Sequence, residues 1–210
     1  MSILLNLGFS KSLLESTLYV KIDGADILII SLYVDDLFVT GNNLSLVEKF
    51  KKEMMVVFEM TDLGLMMFFL GMEIKQGGVF VCQKKYAKEI LKKFKLEECK
   101  EMNTPMNQKE RLYKEDGTEK IDQAYFRSMI GCLLYLSVTR PDILNVVSIL
   151  SRFMHCASEM HLKAAKRVIR YVKGTCNFGI KYKKTEKFKL IGFSGSEWGG
   201  SIDDMRSTSG

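Results

Sequence analysis

The sequence predicts an α+β protein, with an antiparallel sheet near its start and amphipathic helices after it. Two turn signals, Asp23-Gly24 and Asp35-Asp36, separate three runs that are rich in β-branched and aromatic residues. Apolar residues then recur at helical spacing over residues 45–58, and the same spacing returns within residues 122–173. Because strands and helices lie in separate blocks, we expect helices to cover one side of a sheet.

The first strands form a predicted three-stranded meander. A short helical segment over residues 3–9 precedes it and is closed by Gly8. The apolar run of residues 27–41 predicts strands buried on both faces, or nearly so. The expected strands are residues 18–22, 26–34 and 37–40.

A helix is expected directly after the meander. Ser45 is a candidate N-cap, and Glu48 lies three residues further on, as in a capping box. The helix should run to about Phe58 with its apolar stripe against the sheet and its lysines facing away. That stripe consists of Leu46, Val47, Phe50, Met54 and Val57.

The second half of the chain predicts a hairpin, a basic helix, a linker and a helical region. Residues 67–74 are expected to form a strand, which turns at 76–78 and returns at 79–82. A basic amphipathic helix should follow, and Pro105 and Gly117 interrupt a polar linker over residues 97–121. The expected helices are 83–94, 125–136, 141–153 and 159–173, and the last strands are 180–182 and 188–193.

The acid pair Asp35-Asp36 is the principal candidate site. Two carboxylates within an apolar β-rich run are costly unless they lie at a hairpin tip or bind a partner. At the tip of a tight hairpin they would offer hard oxygen ligands of the kind that Mg²⁺ prefers. A solvent-facing turn is the alternative, because Asp is a common turn residue.

Composition and charge restrict the remaining options. The 47% of hydrophobic residues can form a core, and no long uncharged apolar stretch or signal-peptide pattern is present, so we expect an intracellular protein of the cytoplasm or nucleus. The five cysteines lack a Cys-x-x-Cys pattern and indicate free thiols. His155, Cys156 and His161 match no zinc-ligand spacing, so structural roles are favoured for both histidines.

Residues 151–190 carry eleven basic residues and two glutamates, which suits contact with a phosphate backbone or a solvated basic surface.

Several short blocks along the chain resemble one family in the family's own order. The sequence is similar, over nearly all of its 210 residues, to the Pol polyprotein of copia-type long-terminal-repeat retrotransposons. The blocks are Leu7-Gly8-Phe9, Tyr33-Val34-Asp35-Asp36, Phe58-Glu59-Met60, Asp62-Leu63-Gly64, Phe69-Leu70-Gly71-Met72-Glu73-Ile74, Thr139-Arg140-Pro141-Asp142-Ile143, Ser151-Arg152-Phe153-Met154-His155, Ala164-Ala165-Lys166-Arg167, Arg170-Tyr171 and Ser207-Thr208-Ser209-Gly210.

The resemblance implies a partial reverse-transcriptase palm, a thumb, a helical connection and a truncated ribonuclease H-like start. The corresponding segments are residues 1–75, 76–105, 106–189 and 190–210. By the same resemblance, Asp35 and Asp36 are catalytic and bind Mg²⁺. The expected nucleic-acid contacts are Tyr33 and Val34 near the primer terminus, Phe69, Leu70 and Gly71 in a primer-grip hairpin, and Lys84, Lys85 and Lys88 in the thumb-like helix.

The chain departs from the family pattern in two places. Only six residues precede Leu7-Gly8-Phe9, so we expect the fingers and an earlier palm carboxylate to be absent. Near the ribonuclease H start the family has Gly-Tyr-x-Asp-x-Asp-Trp, whereas this chain has Gly195 in place of the first Asp. The acid pair Asp203-Asp204 is expected to lie in a loop rather than in a site.

These observations favour a fragment of a retrotransposon RNA-directed DNA polymerase. Two carboxylates alone should bind Mg²⁺ weakly, since two-metal phosphoryl transfer needs ligands from more than one strand. We therefore expect little activity from the chain by itself, with a primer–template and deoxynucleotides as the ligands of the intact family. A separate chain could supply the missing part of the palm. The alternatives are a non-catalytic module that binds a primer–template and an unselected relic.

Overall fold

The computed structural model describes residues 2–75, 79–107 and 111–183, together with residues 196–197, 203 and 208–209. The chain divides into two compact units, Met1–Leu65 and Met66–Gly210. The first unit contains α1 (Ser2–Asn6), β1 (Ser10–Lys11), β2 (Leu18–Asp23), β3 (Asp26–Tyr33), β4 (Asp36–Gly41) and α2 (Leu44–Val57).

The first unit is an antiparallel sheet packed against α2. The strand order is β1-β2-β3-β4, which confirms the meander and adds the short strand β1 to it. The core contains Tyr19, Leu28 and Ile30 from the strands, and α2 contributes Val47, Phe50 and Met54. Helix α2 therefore covers one face of the sheet, as expected.

The prediction that the strands are buried on both faces is wrong. Along β3 the fully buried Ile30 and the buried Leu28 alternate with residues that retain accessible surface. On the face opposite to α2, paired residues Ile22 and Ile27 are 69% and 40% exposed. The apolar run thus forms a sheet with one covered face.

Helix α2 begins earlier than the sequence predicted, because Asn43 and not Ser45 is the N-cap. The Asn43 side chain accepts a hydrogen bond from the Ser45 backbone N–H at 3.0 Å and donates to the Asp26 carboxylate at 3.0 Å. The second bond ties this cap to β3. Asn and Ser are comparable N-caps, and the contact with Asp26 favours the Asn43 position.

Among the described residues, the second unit contains a four-stranded antiparallel sheet, a two-stranded sheet and four helices. Its elements are β5 (Phe68–Phe69), β6 (Met72–Lys75), β7 (Phe80–Cys82), α3 (Lys84–Lys93), α4 (Gln123–Leu136), α5 (Pro141–Ser151), α6 (Glu159–Gly174), β8 (Gly179–Lys181), β9 (Ser196–Glu197) and β10 (Thr208–Ser209). The predicted helices are all present, with limits within a few residues of those expected.

The second sheet differs from the prediction in two ways. The expected strand over 67–74 is broken, since β5 and β6 form a hairpin with Leu70 and Gly71 at its turn. The sheet order is β5-β6-β7-β8, so β8 joins β7 although a helical region separates them in sequence. Sequence reasoning had assigned no partner to β8.

The helices α3, α4, α5 and α6 enclose the larger core. Its most deeply buried members include Phe126, Met129 and Ile130 of α4, Val147 of α5 and Ile169 of α6. In the described part of the predicted linker there is no helix or strand, as expected, but the segment is packed. Its Leu112 is buried, and Arg170 on α6 donates to the Lys100 carbonyl.

Several predicted features of the C-terminal part lie outside the described residues. These are the strand at 188–193, Gly195 and Asp204. Strands β9 and β10 pair antiparallel, and Asp203 lies in a turn where its carboxylate accepts a hydrogen bond from the Lys114 backbone N–H. Among the residues described, no helix has the length and apolar character to cross a membrane.

Candidate functional site

The acid pair lies on a tight hairpin between β3 and β4. Tyr33 pairs with Asp36, so the two-residue loop is Val34-Asp35 and Asp36 is the first residue of β4. The prediction of a hairpin tip is confirmed, with the loop one residue earlier than expected. Val34 has a φ of 51°, which is unfavourable for a β-branched residue and costs of order 1–3 kcal/mol.

Strand alternation sets the direction of the acid pair. Leu32 and Leu37 pair with each other and pack against the core beneath α2. The next pair, Tyr33 and Asp36, therefore points to the opposite face of the sheet. Asp35 and Asp36 are both exposed, and Val34 is 87% exposed. The hairpin thus presents its two carboxylates to solvent on a base that is anchored by the core.

The two carboxylates have the correct chemistry for Mg²⁺ but are few in number. Carboxylate oxygens are preferred ligands of this ion, and an exposed tip leaves space for water and substrate oxygens. Within the described part of the chain, no group of three or more His, Cys, Asp or Glu residues could hold a metal ion. The hairpin therefore fits one part of a metal site.

The second predicted contact, Phe69-Leu70-Gly71, lies at the β5–β6 turn. Leu70 and Gly71 have φ values of 46° and 73°, and positive values at both central positions are typical of a hairpin turn whose twist matches that of its strands. The Tyr135 hydroxyl of α4 donates a hydrogen bond to the Leu70 carbonyl. A Cβ atom at position 71 would lie 3.1 Å from that hydroxyl, so the turn is closely fitted to Tyr135.

The predicted lysines lie at the start of α3. Lys85 and Lys88 are exposed and Lys84 is half-buried, while Ala87, Ile90 and Leu91 form the buried face of the helix. The Glu73 carboxylate of β6 accepts a hydrogen bond from the Lys85 backbone N–H at 2.7 Å. This bond connects the hairpin strand to the first turn of α3.

The turn and α3 are also connected through aromatic rings. Tyr135 packs edge to face on Tyr86 of α3, with ring centroids 4.9 Å apart. The structure therefore brings together two of the predicted groups, residues 69–71 and the α3 lysines, within the second unit. The tetrad Tyr33-Val34-Asp35-Asp36 belongs to the first unit. Tyr135 was not predicted, because nothing local marks a helix tyrosine as a contact of a distant turn.

A buried cluster at the N-terminus of α6 also escaped the sequence prediction. Asp116, Ser158 and His161 meet there, and the His161 Nδ1 accepts a hydrogen bond from the Ser158 backbone N–H at 3.1 Å. The Ser158 Oγ lies 2.7 Å from the same nitrogen and contacts the Asp116 carboxylate. Ser158 and His161 are fully buried. Asp, Ser and His also occur together in hydrolases, but here they cap the N-terminus of α6.

The cluster shifts the pKa values of its ionisable groups. Burial raises the pKa of Asp116, but hydrogen bonds from Ser158 and Thr118 outweigh it and lower the pKa to about 2. Burial lowers the pKa of His161, although Asp116 opposes this shift. Both effects favour a charged carboxylate beside a neutral imidazole. The expectation of a structural role for His161 is therefore supported by its contacts.

Comparisons with known proteins agree with the motif order. The profile of the family described as "Reverse transcriptase (RNA-dependent DNA polymerase)" matches residues 1–108. The Retrovirus-related Pol polyprotein from transposon RE1 of Arabidopsis thaliana is 36% identical over 209 residues, which cover 99% of this chain and 14% of that protein. The Retrovirus-related Pol polyprotein from transposon TNT 1-94 of Nicotiana tabacum is 29% identical over 194 residues, which cover 87% of this chain and 14% of the polyprotein.

A shorter relative covers a similar part of the sequence. An uncharacterized mitochondrial protein of Arabidopsis thaliana is 40% identical over 182 residues, which cover 85% of this chain and 75% of that protein. The present chain thus spans only 14% of the length of the Pol polyproteins that it matches. No solved structure matches it significantly.

Proposed function

The chain belongs to the reverse transcriptase (RNA-dependent DNA polymerase) family of copia-type retrotransposon Pol polyproteins, and from that membership we propose that its tetrad hairpin supplies two metal-binding carboxylates for RNA-directed DNA synthesis. The supporting observation is the exposed position of Asp35 and Asp36 at the β3–β4 turn. Tyr33 and Val34 would then lie beside the primer terminus.

Asp35 and Asp36 would hold Mg²⁺ at this tip. The bound ion supplies positive charge that stabilises the phosphoryl oxygens during nucleotide transfer. The protein's own contribution is to fix the carboxylates on strands that are held by the core of the first unit. The strained φ of Val34 fits a turn whose position is set by its surroundings rather than by local preference.

We further propose that the chain does not polymerise by itself. Two-metal transfer needs carboxylates that clamp both ions, and no third acid joins Asp35 and Asp36 in the part of the chain that the structure describes. A primer–template would be held by the 69–71 turn and the α3 lysines. A separate polypeptide that supplies the remaining palm carboxylate would complete the site.

A metal titration and an extension assay together test this proposal. In NMR spectra, Mn²⁺ should broaden the amides of Asp35 and Asp36 at millimolar concentrations, because two carboxylates bind a divalent ion weakly. The variant Asp35→Asn/Asp36→Asn should lose this broadening, while Glu48→Gln/Glu53→Gln, which removes two exposed acids from α2, should keep it. Template-dependent extension of a primer by the purified chain with Mg²⁺ and deoxynucleotides would show that the chain is active alone.

A second candidate function is nucleic-acid binding without chemistry. The exposed side chains of Lys85 and Lys88 favour it, since lysines on one side of a helix can contact successive phosphates. A filter-binding series with a primer–template should then show affinity that falls as salt rises. Binding that is independent of salt would contradict phosphate contacts.

A further inference from the structure

A groove on the second unit lies between α6 and the chain segment that follows α3. Its volume is about 730 Å³, which is within the range of ligand-binding clefts. Aliphatic side chains and cationic side chains both line it. The tetrad hairpin belongs to the other unit, and the predicted lysines at the start of α3 are not among the lining residues. The groove is therefore a surface that the proposed polymerisation role does not use.

The aliphatic side chains of the groove extend the helical core to the surface. Leu96, Met160 and Leu162 are half-buried and pack against that core. The Leu96 backbone N–H also donates a hydrogen bond to the Leu91 carbonyl of α3 at 2.8 Å. The three side chains form an apolar floor whose position is fixed by packing. A partner that covers this floor removes apolar surface from water, which favours binding.

Two arginines beside the apolar floor are fixed in position but not neutralised. The Arg167 guanidinium donates to the Thr104 carbonyl at 3.3 Å and to the Thr104 hydroxyl at 2.9 Å. Arg170 donates through Nε to the Lys100 carbonyl at 2.7 Å, and its two terminal nitrogens have no partner among the described residues. Since these acceptors are uncharged, each arginine keeps its positive charge while it holds the 100–104 segment against α6. A guanidinium held in this way can pair with a carboxylate through its remaining nitrogens.

Two lysines add mobile positive charge on the same side of α6. Lys163 is exposed and Lys166 is half-buried, and neither forms an ion pair or hydrogen bond with another described residue. With Arg167 and Arg170 they occupy positions i, i+3, i+4 and i+7, which lie on one face of a helix. Glu159 is the only acid among the described residues that line the groove. Positive charge is therefore in excess along this side of the apolar floor.

The combination of positive charge and aliphatic surface distinguishes between two classes of partner. Single-stranded nucleic acids bind through phosphates and through bases that stack on aromatic rings, and no aromatic side chain is among the described residues that line the groove. Contacts to phosphates alone would leave the apolar floor uncovered. A peptide with acidic and aliphatic side chains can pair with the cations and cover the floor at the same time. The groove therefore fits such a peptide better than a nucleic-acid strand.

We propose that this groove is a docking site for a protein segment in which acidic residues are interspersed with aliphatic ones. The carboxylates of the segment pair with the four α6 cations, and its aliphatic side chains lie on the apolar floor. From position 163 to position 170 the helix rises roughly 10 Å, which corresponds to about three residues of an extended peptide. The site does not involve the Asp35-Asp36 pair, so the proposal goes beyond the polymerisation role.

Fluorescence anisotropy with a labelled peptide of four Asp-Leu-Glu repeats tests the groove. A peptide of four Asp-Ser-Glu repeats has the same charge and should bind at least about fivefold more weakly, because it cannot cover the apolar floor. The variant Lys163→Gln/Lys166→Gln should bind the leucine peptide about tenfold more weakly, because two ion pairs are lost. Leu162→Gln should reduce the preference for the leucine peptide over the serine peptide. Glu159→Gln should bind either peptide about twofold more tightly, because a repulsive charge is removed.

The variant Lys49→Gln/Lys52→Gln is the matched control, since it removes two exposed lysines from α2 and changes net charge by the same amount. It should bind the leucine peptide within about twofold of the parent chain. Circular dichroism melts of all variants exclude unfolding as the cause of a loss. The variant Asp35→Asn/Asp36→Asn should also retain the peptide affinity, which separates this test from that of the polymerisation site.

Three results would overturn the assignment. The serine peptide could bind as tightly as the leucine peptide, which would show that net charge alone attracts both. The α6 double variant could bind the leucine peptide as tightly as the α2 control does, which would place the contact elsewhere. A single-stranded RNA of equal charge could displace the leucine peptide at a lower concentration than the unlabelled peptide does, in which case the groove serves nucleic acid.

Discussion

The guanidinium of Arg140 lies inside the second unit with most of its donors in use. It donates two hydrogen bonds to the Asp142 carboxylate, at 2.9 and 2.7 Å, and bonds the Thr175 carbonyl and hydroxyl at 3.0 and 2.6 Å. The rings of Tyr171 and Phe178 lie within 6 Å of it. Arg140 therefore joins the start of α5 to the end of α6 by bonds that no other side chain can reproduce.

Replacing Arg140 should strongly destabilise the protein. We expect Arg140→Ala to lower the free energy of unfolding by about 3 kcal/mol, because it leaves Asp142 and Thr175 without their partner. Urea denaturation followed by circular dichroism measures this value. The exposed Arg152 provides the control, and Arg152→Ala should change stability by less than about 0.5 kcal/mol. Equal effects of the two substitutions would contradict the role given to Arg140.

Asp116 and His161 make stability depend on pH in the same direction. The pKa of His161 is lowered from 6.5, so below that pH the unfolded chain binds a proton that the folded chain does not, and stability falls as pH falls. The pKa of Asp116 is lowered from 3.8 to about 2, so its stabilising contribution is present above pH 3.8 and is lost as pH falls towards 2. Lys120 and Asp203 face His161 and act on its pKa in opposite directions.

Replacing His161 should therefore reduce the dependence of the free energy of unfolding on pH below 6.5. In the parent chain we expect a slope of up to about 1.4 kcal/mol per pH unit below 6.5 from this one proton. The variant His161→Gln should lose most of that slope, even if it is less stable at every pH. His155→Gln, which alters an exposed histidine, should keep it. Urea denaturation across pH 4.5 to 7.5 provides the measurement, and an unchanged slope in the first variant would contradict this account.

At the scale of elements, β8 lies very close to β7 at Gly179. A Cβ atom on Gly179 would contact the Val81 carbonyl oxygen and lie 2.8 Å from the Cys82 Cβ and 2.9 Å from the Phe80 ring. The β7–β8 pairing therefore requires glycine at this position. By contrast, a Cβ atom on Gly131 in α4 would meet no atom of a described residue within 4 Å, apart from those of its own turn of helix.

Replacing each of these two glycines with alanine should change the free energy of unfolding in opposite directions. The substitution Gly179→Ala should lower the free energy of unfolding by about 2 kcal/mol, because β7 and β8 must separate to admit a methyl group. Gly131→Ala should raise it by up to about 1 kcal/mol, because alanine favours the helical state. Urea titrations of both variants test the pair. A stable Gly179→Ala protein would show that β8 is not paired with β7 in solution.

The sequence was sufficient to predict most elements whose signal is local. Helix α5 begins at Pro141, as expected from the preference of proline for a first helical turn, and α6 ends at Gly174. The β3–β4 hairpin was predicted because its two turn acids interrupt β-rich residues. The residue pattern alone predicted an unbroken strand over 67–74, whereas the family resemblance implied a hairpin at 69–71, and the structure has a hairpin there. The pattern did not indicate this turn, since leucine has no turn preference and the contact with Tyr135 is made by a distant helix.

At the scale of the whole chain, the candidate functions are divided between two units that each have a core. The tetrad depends on the sheet of the first unit, whereas the 69–71 turn and the α3 lysines belong to the second. The motif residues could be predicted because they are contiguous in sequence. The bonds of Arg167 and Arg170 to the 100–104 segment could not be predicted, because they depend on tertiary packing.

The late position of β8 has a consequence for how the protein is made. Strand β7 leaves the ribosome about a hundred residues before its neighbour β8, a delay of roughly 5–20 s at ordinary elongation rates. During that time the outer edge of β7 has no strand to pair with and can capture extended segments of other nascent chains. Slower elongation should therefore increase misassembly of this protein, and chaperones that shield nascent chains should reduce it.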